Sequence, residues 1–314
     1  MRPWPCSNGP VLRRNVLIFH AGALGDFVLT WPLIMALGRL HPQSRIIVVT
    51  HASKGALAEL ALHVESHDVE QGWHALFTSD AELPERPARM LESAHAVYTF
   101  MAGEEPFRKR APEAQLVALR PTPPPDYAKH ASQHLIEQLA SMQAMKSAVD
   151  QMLRSINLRG IGTGRSHDGD VIVHPGSGSR EKCWPTERFV KVIEKLKRKK
   201  KEVRVLIGEV EHERFSESQI ASLEKAAGVS VRRPATYVEL FNELRTASVF
   251  IGNDSGPSHL AGVMGLPTVA LFGPTDPAVW KPMGPRVRVL HRPTLEKISV
   301  DDVMGEVKAL EGGT

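Results

Sequence analysis

The chain has 314 residues, of which 42% are hydrophobic and 24% charged, enough for two domains that each bury a core and too balanced for a disordered or fibrous protein. No apolar run approaches the ~20 residues that cross a bilayer, and Met1 to Gly9 lacks the apolar stretch of a secretion signal, so the expected location is the cytoplasm. The net charge of +4 suits a protein that handles anions, whereas 6% aromatics with no basic interleaving argues against nucleic acid.

The first element is the apolar run Val16 to Phe19, a short buried strand. A glycine-bearing turn, His20 to Asp26, leads into a helix expected from about Phe27 to Leu40, with Leu33, Leu37 and Leu40 on one face and Pro32 in its first turns. Arg45 to Val49 reads as the next strand, completing the opening of a doubly wound sheet. From Lys54 to Ala140 the pattern weakens: Ala94 to Phe100 suits a strand, Arg120 to Asp126 a proline-rich loop, and His130 to Leu153 a helix.

Arg159 to Asp170 has glycine and polar residues without apolar period, as a linker does. Beyond it the alternation restarts: strand Val171 to Val173, helix Thr186 to about Lys200, strand Val203 to Ile207, a helix capped at Thr236 with Glu239 as its capping box, strand Val249 to Ile251, helix Pro257 to Met264, strand Thr268 to Phe272. The expected division is an acceptor-binding Rossmann-like domain over 1–158, a linker over 159–170 and a donor-binding Rossmann-like domain over 171–314, with a ligand in the cleft separating them. The basic run Lys195 to Lys201 closes a helix, where cations meet the negative dipole end, and a solvated helix end is preferred to a binding patch.

Two loops carry the chemistry. Gly252 to His259 follows a strand and opens a helix, with small residues and a proline that leave backbone N–H groups for a ligand; a diphosphate suits it better than a plain capped helix start. His174 to Trp184 offers Ser177 and Ser179 on flexible backbone, then Arg180 and Lys182, a mixture suited to phosphate, although it is not the nucleoside-triphosphate loop. In the other half Asp26 opens a helix, either as a complement to the dipole or as a general base. Asp168 and Asp170 have the spacing of a metal-binding pair, but turn chemistry explains them, and no metal is expected. Cys6 and Cys183 are too far apart for a metal-type motif, and Cys183 reads as a filler beside Trp184.

These segments resemble the heptosyltransferases, glycosyltransferase family 9. The carrying residues are Ala23-Leu-Gly-Asp-Phe-Val-Leu-Thr-Trp-Pro32, His174-Pro-Gly-Ser-Gly-Ser-Arg-Glu-Lys-Cys-Trp-Pro185, Gly208 with Glu211, and Asn253-Asp-Ser-Gly-Pro-Ser-His-Leu-Ala261 running on to Leu271-Phe-Gly-Pro-Thr-Asp-Pro277. The resemblance covers most of the carboxy-terminal half but only the first strand, loop and helix of the other; positions 54 to 153 carry no motif of the family. It implies an α/β GT-B fold, two Rossmann-like lobes with parallel sheets facing across a cleft. It also implies an inverting transfer from a nucleotide sugar, ADP-heptose by analogy, to a lipopolysaccharide-core or related glycan acceptor, with no cofactor.

By position the resemblance makes Asp26 the base. Lys182 would meet the donor phosphates, Glu211 the ribose with Glu209 as its competitor, and the loop holding Asp254, Ser255, Gly256 and His259 the diphosphate and sugar. An in-line displacement needs one base and a positive potential on the leaving diphosphate, which Lys182 and helix amides supply. A lipid-linked acceptor would bring the enzyme to the inner face of a membrane, with Phe107-Arg-Lys-Arg110 as an aid to contact. The alternatives are another GT-B enzyme, a sugar-nucleotide epimerase, or an inactive nucleotide-sugar binding protein.

Overall fold

The computed structural model describes residues 14–78, 81–101, 103–162, 169–208, 215–228 and 231–312. The chain forms two compact units. The first holds the described residues up to Tyr127 and Ala131–Leu153; the second holds Ala128–His130 and the described residues from Arg154 onward.

In the first unit β1 (Asn15–Phe19) is followed by α1 (Leu24–Leu29), α2 (Trp31–Leu40), β2 (Arg45–Thr50), α3 (Ala52–Leu62), β3 (Glu65–Asp68), α4 (Glu85–Glu92), β4 (Ala94–Thr99), α5 (Glu105–Arg108), β5 (Gln115–Ala118) and α6 (Ala131–Gln138), and α7 (Gln143–Arg159) begins in this unit and ends in the second. The five strands lie in the order β3-β2-β1-β4-β5, and every pairing is parallel. Every residue of β1 is buried because helices cover both faces, and a strand covered on both sides reads as one apolar run rather than an alternation. Leu17 and Phe19 join Ile47, Val49, Val97, Trp73 and Phe107 in one core cluster.

The helix expected over Phe27 to Leu40 is two helices meeting at Thr30, and the first starts at Leu24. Pro32 cannot donate to the carbonyl four residues back, that of Val28, and Thr30 closes the first helix, its N–H and its Oγ1 both donating to Phe27 O, the latter at 2.7 Å. Phe107 is fully buried, 4.8 Å from the Phe19 ring centroid, while Arg108 pairs with Glu104 and Arg110 donates to Ala81 O. The aromatic of that basic segment is therefore core, and the segment does not offer it to a membrane. No helix among the described residues is long and apolar enough to cross one.

The second unit runs β6 (Asp170–His174), α8 (Thr186–Arg198), β7 (Val203–Leu206), α9 (Glu217–Ala227), β8 (Val231–Arg232), α10 (Tyr237–Arg245), β9 (Ala247–Asn253), α11 (Gly256–Val263), β10 (Thr268–Phe272), α12 (Pro277–Trp280), β11 (Val287–His291) and α13 (Val300–Gly312). Its six parallel strands take the order β11-β10-β9-β6-β7-β8. Val171, Val173, Ile251, Val269 and Leu271 pack with Phe189, Ile193 and Leu196 of α8, and Trp184 meets Phe189 edge-on at 4.9 Å.

Several local expectations change on contact with tertiary structure. Thr236 caps α10 by accepting from Glu239 N, but the Glu239 carboxylate reaches Ala235 N, one residue beyond the expected box. The start of the expected linker is docked: Gly160 N donates to Ile156 O, and Ile161 N to Val263 O at 2.9 Å. Asp170 belongs to β6 rather than to a turn and pairs with Arg204 at 2.7 Å; Asp168 lies outside the described residues. The basic end of α8 is laced to carboxylates, Lys195 to Asp301, Arg198 to Glu194 and Lys201 to Glu311, as a solvated helix end should be.

Candidate active site

In a parallel sheet whose strand order reverses, two neighbouring strands send their connections to opposite faces, and a crevice opens at their carboxyl ends. In the second unit that reversal falls at β6 and β9. The loop leaving β6 lies in the segment His174 to Trp184, and the loop leaving β9, Asn253 to Ser255, lies in the segment Gly252 to His259, the two segments that the sequence singles out as phosphate-type.

They are stapled together. Asn253, fully buried, donates from Nδ2 to Pro175 O at 2.7 Å and accepts from Trp184 N at 3.0 Å. Ser177, buried, donates to Asp254 O at 2.6 Å, so this hydroxyl holds the loops in register. Lys182 Nζ stands 2.9 Å from Asp254 Oδ2, which also accepts from Thr275 Oγ1 at 2.7 Å. Thr275 follows β10, so three successive strand ends converge on one carboxylate.

Asp254 is 7% exposed. Burial pushes its carboxyl up, but His259, Lys182 and Thr275 outweigh that and hold it down at about 2. Of these, His259 Nε2 stands 3.9 Å from Oδ1, an electrostatic contact rather than a full hydrogen bond. His259 itself is buried, and its Nδ1 has no hydrogen-bond partner among the described residues. A buried polar atom without a partner is costly unless something else supplies one. Ser255 is the N-cap of α11 without a side-chain capping bond, its hydroxyl lying 3.3 Å from that of Ser258, and Gly256 opens the helix with Pro257 beside it. Ser179 is half-buried, and its carbonyl accepts from Lys182 N and from Cys183 Sγ, which gives Cys183 a structural partner. Glu209 and Glu211 lie outside the described residues.

In the first unit the reversal falls at β1 and β4, and the loop leaving β1 is His20 to Ala23. Asp26 follows in the first turn of α1, half-buried. It caps nothing: Ala23 holds the N-cap position, and no side-chain capping bond is present.

Sequence reasoning passed over three residues here. Thr275 sits inside the Phe-Gly-Pro-Thr-Asp-Pro segment, so its signal was in view without a role attached. His130, 151 residues from its partner, donates from Nε2 to Lys281 O at 2.8 Å and lies within electrostatic reach of His259. Lys54, only 5% exposed, has Asp26 as the carboxylate that favours its charge, and nothing in its local sequence announces that.

The family model for glycosyltransferase family 9 (heptosyltransferase) matches residues 111–307, more than half of the chain. The chain belongs to this family. Among curated glycosyltransferases of this kind, lipopolysaccharide heptosyltransferase 3 of Escherichia coli K12 is 30% identical over 122 residues, which are 37% of this chain and 34% of that relative. Lipopolysaccharide heptosyltransferase 1 of Campylobacter coli is 23% identical over 109 residues, 34% of this chain and 32% of that protein. Both matches thus span about a third of the relative's length. Among solved structures, E. coli ADP-heptose lipopolysaccharide heptosyltransferase II superposes with a TM-score of 0.70 at 18% identity, over 95% of this chain and 98% of that one. E. coli heptosyltransferase WaaC with ADP gives 0.65 at 16% identity, over 94% and 99%. The fold is accordingly the GT-B type, with two Rossmann-like α/β units.

Proposed function

We propose that this family 9 glycosyltransferase moves a sugar, heptose from an ADP-linked donor, onto a lipopolysaccharide-core or related glycan acceptor, with inversion and without a metal ion. The observation that carries the reading is the convergence of the β6, β9 and β10 loops on Asp254, with Lys182, Thr275 and His259 around it, at the strand reversal of the second unit. The fold relatives captured with ADP and with ADP-2-deoxy-2-fluoro heptose support a nucleotide sugar as the donor class.

The roles follow from charge. Lys182 neutralises Asp254, so the pair does not repel a diphosphate, and the ammonium keeps donors to spare for phosphate oxygens. The backbone amides of Gly256 and Ser258 at the start of α11 add positive potential where the leaving ADP gathers charge. The Asp254 carboxylate, ionised throughout the physiological range, is an acceptor for sugar hydroxyls, and His259 Nδ1, without a partner among the described residues, is a second polar contact. Asp26 takes the acceptor's proton as the new glycosidic bond forms, and the bond to ADP breaks in the same step. The second unit on this reading binds donor, the first binds acceptor, and a lipid-linked acceptor gives the protein its peripheral contact with the inner membrane face.

The test is transfer from ADP-heptose to a core-type acceptor, with and without EDTA. The expected result is glycosylated product of inverted anomeric configuration at equal rates in both. Product lost in EDTA and restored by magnesium would refute metal independence. Epimerised nucleotide sugar with no transfer product would refute the reaction itself.

A further inference from the structure

A lysine is almost never fully buried unless something pairs with it. Lys54, in the first turn of α3, is 5% exposed. Its ammonium donates to Gly22 O and, at 3.3 Å, to Ala21 O. Both carbonyls belong to the loop after β1, whose residues Ala21 to Ala23 are exposed. An exposed loop is thus tied down from beneath by a buried cation that comes from the next strand–helix connection.

The tie reaches Asp26 through Gly22. A Cβ at Gly22 would stand 3.0 Å from His20 Cε1 and 3.5 Å from Asp26 Cβ, so both side chains flank the loop at Gly22, with room for little more than a methyl group between. His20 is 1% exposed, packed on Phe27 and Phe100, and neither of its ring nitrogens has a hydrogen-bond partner among the described residues. Burial, then the charge of Lys54, drives its imidazole down to about 3, so it is neutral and adds no charge of its own. Burial also lowers the Lys54 ammonium, and the negative charge of Asp26 works to keep it protonated.

We propose that Lys54 is a positioning residue for the transfer reaction: it fixes the Ala21–Gly22 backbone beside Asp26 and holds a buried positive charge within electrostatic reach of the Asp26 carboxylate. The inference rests on the reading of Asp26 as the base. Lys54 acts through Asp26 and touches no substrate in this account. Neutral carbonyls alone are a poor reason to bury an ammonium, since each could be satisfied by water at an exposed loop.

A double-mutant cycle with Lys54→Met and Asp26→Asn in the full chain tests it, reading kcat, donor Kd and melting temperature for all four proteins. Lys54→Met should lower kcat about 10- to 100-fold, the scale of coupling between neighbouring groups, and leave ADP affinity within about twofold. In the Asp26→Asn background the same change should cost less than about threefold, because the group it acts through is already gone. Should Lys54→Met fail to fold, Lys54→Gln takes its place, since it keeps a donor for Gly22 O without the charge, and the same kcat loss and non-additivity are expected. Wild-type kcat in the Lys54 variant, or a loss that multiplies in full with that of Asp26→Asn, would make Lys54 merely structural and overturn the inference while leaving the base intact. An Asp26→Asn protein with near wild-type turnover would overturn the base reading, a distinct outcome visible in its own corner of the cycle.

Discussion

Replacing Asp254 with asparagine keeps the side chain's shape and its capacity to accept from Thr275, and removes only the charge. In the native protein the carboxyl titrates at about 2 against an ordinary value of 3.8. At ~1.4 kcal/mol per pH unit, that difference makes the ionised form contribute about 2 kcal/mol to stability at neutral pH. The sign follows from the lowered value: the contribution is complete above the unfolded-state value near 4 and is lost as pH falls through about 2. Asp254→Asn should therefore lower the melting temperature of the unit containing it by about 4–8 °C at pH 7, at roughly 2–4 °C per kcal/mol for a unit of this size. Urea unfolding of both proteins at pH 7, 4 and 2 is the assay. The gap should be full at pH 7, slightly reduced at pH 4 and nearly closed at pH 2. Equal stability at neutral pH, or a gap that persists undiminished at pH 2, would refute the argument that Lys182, Thr275 and His259 hold a buried carboxylate in its charged form.

Lys182→Ala removes one charge-assisted contact and should weaken ADP binding about 10- to 100-fold by calorimetry; an unchanged Kd would take Lys182 out of the donor site. Gly284→Ala should cost at least about 3 kcal/mol, because the residue has φ +146° and its Cβ would stand 2.0 Å from Gly262 O, whereas Gly305→Ala, in open space on α13, should be neutral or gain up to ~1 kcal/mol of helix propensity. Thermal unfolding of the two variants side by side checks both.

What the sequence made legible was whatever one strand and its following turn encode. The buried strands Val16 to Phe19 and Val269 to Phe272 are unbroken apolar runs, and the segments after β6 and β9 carry glycine and serine in sequence, with Arg180 and Lys182 in the first. The polar edge strands were not legible: β3 is Glu-Ser-His-Asp, and only its backbone pairing with β2 makes it a strand. Phe107 looked like part of a basic surface segment because its charged neighbours are local, while the Phe19 ring that buries it is 88 positions away. The same holds for the active-site candidates. The sequence places the Lys182 and Asp254 loops on the same sheet edge, yet the bond across 72 positions that joins the two side chains needs the sheet order, as does the bond from Lys54 to Gly22. Pro32 was read as tolerable in a first turn, and it is, but of a second helix that Thr30 separates from the first.

The central claim is that Asp26 removes the acceptor's proton, and turnover of Asp26→Asn measured beside its melting temperature tests it most directly. The variant preserves the shape of the side chain and cannot take a proton. Since Asp26 caps nothing in α1, its melting temperature should stay within a few degrees of wild type. General-base catalysis contributes ~10²–10⁴-fold, so kcat should fall by that factor, about 3–5 kcal/mol of barrier, with ADP affinity little changed. A stable, donor-binding Asp26→Asn protein that turns over at close to the wild-type rate would contradict the account.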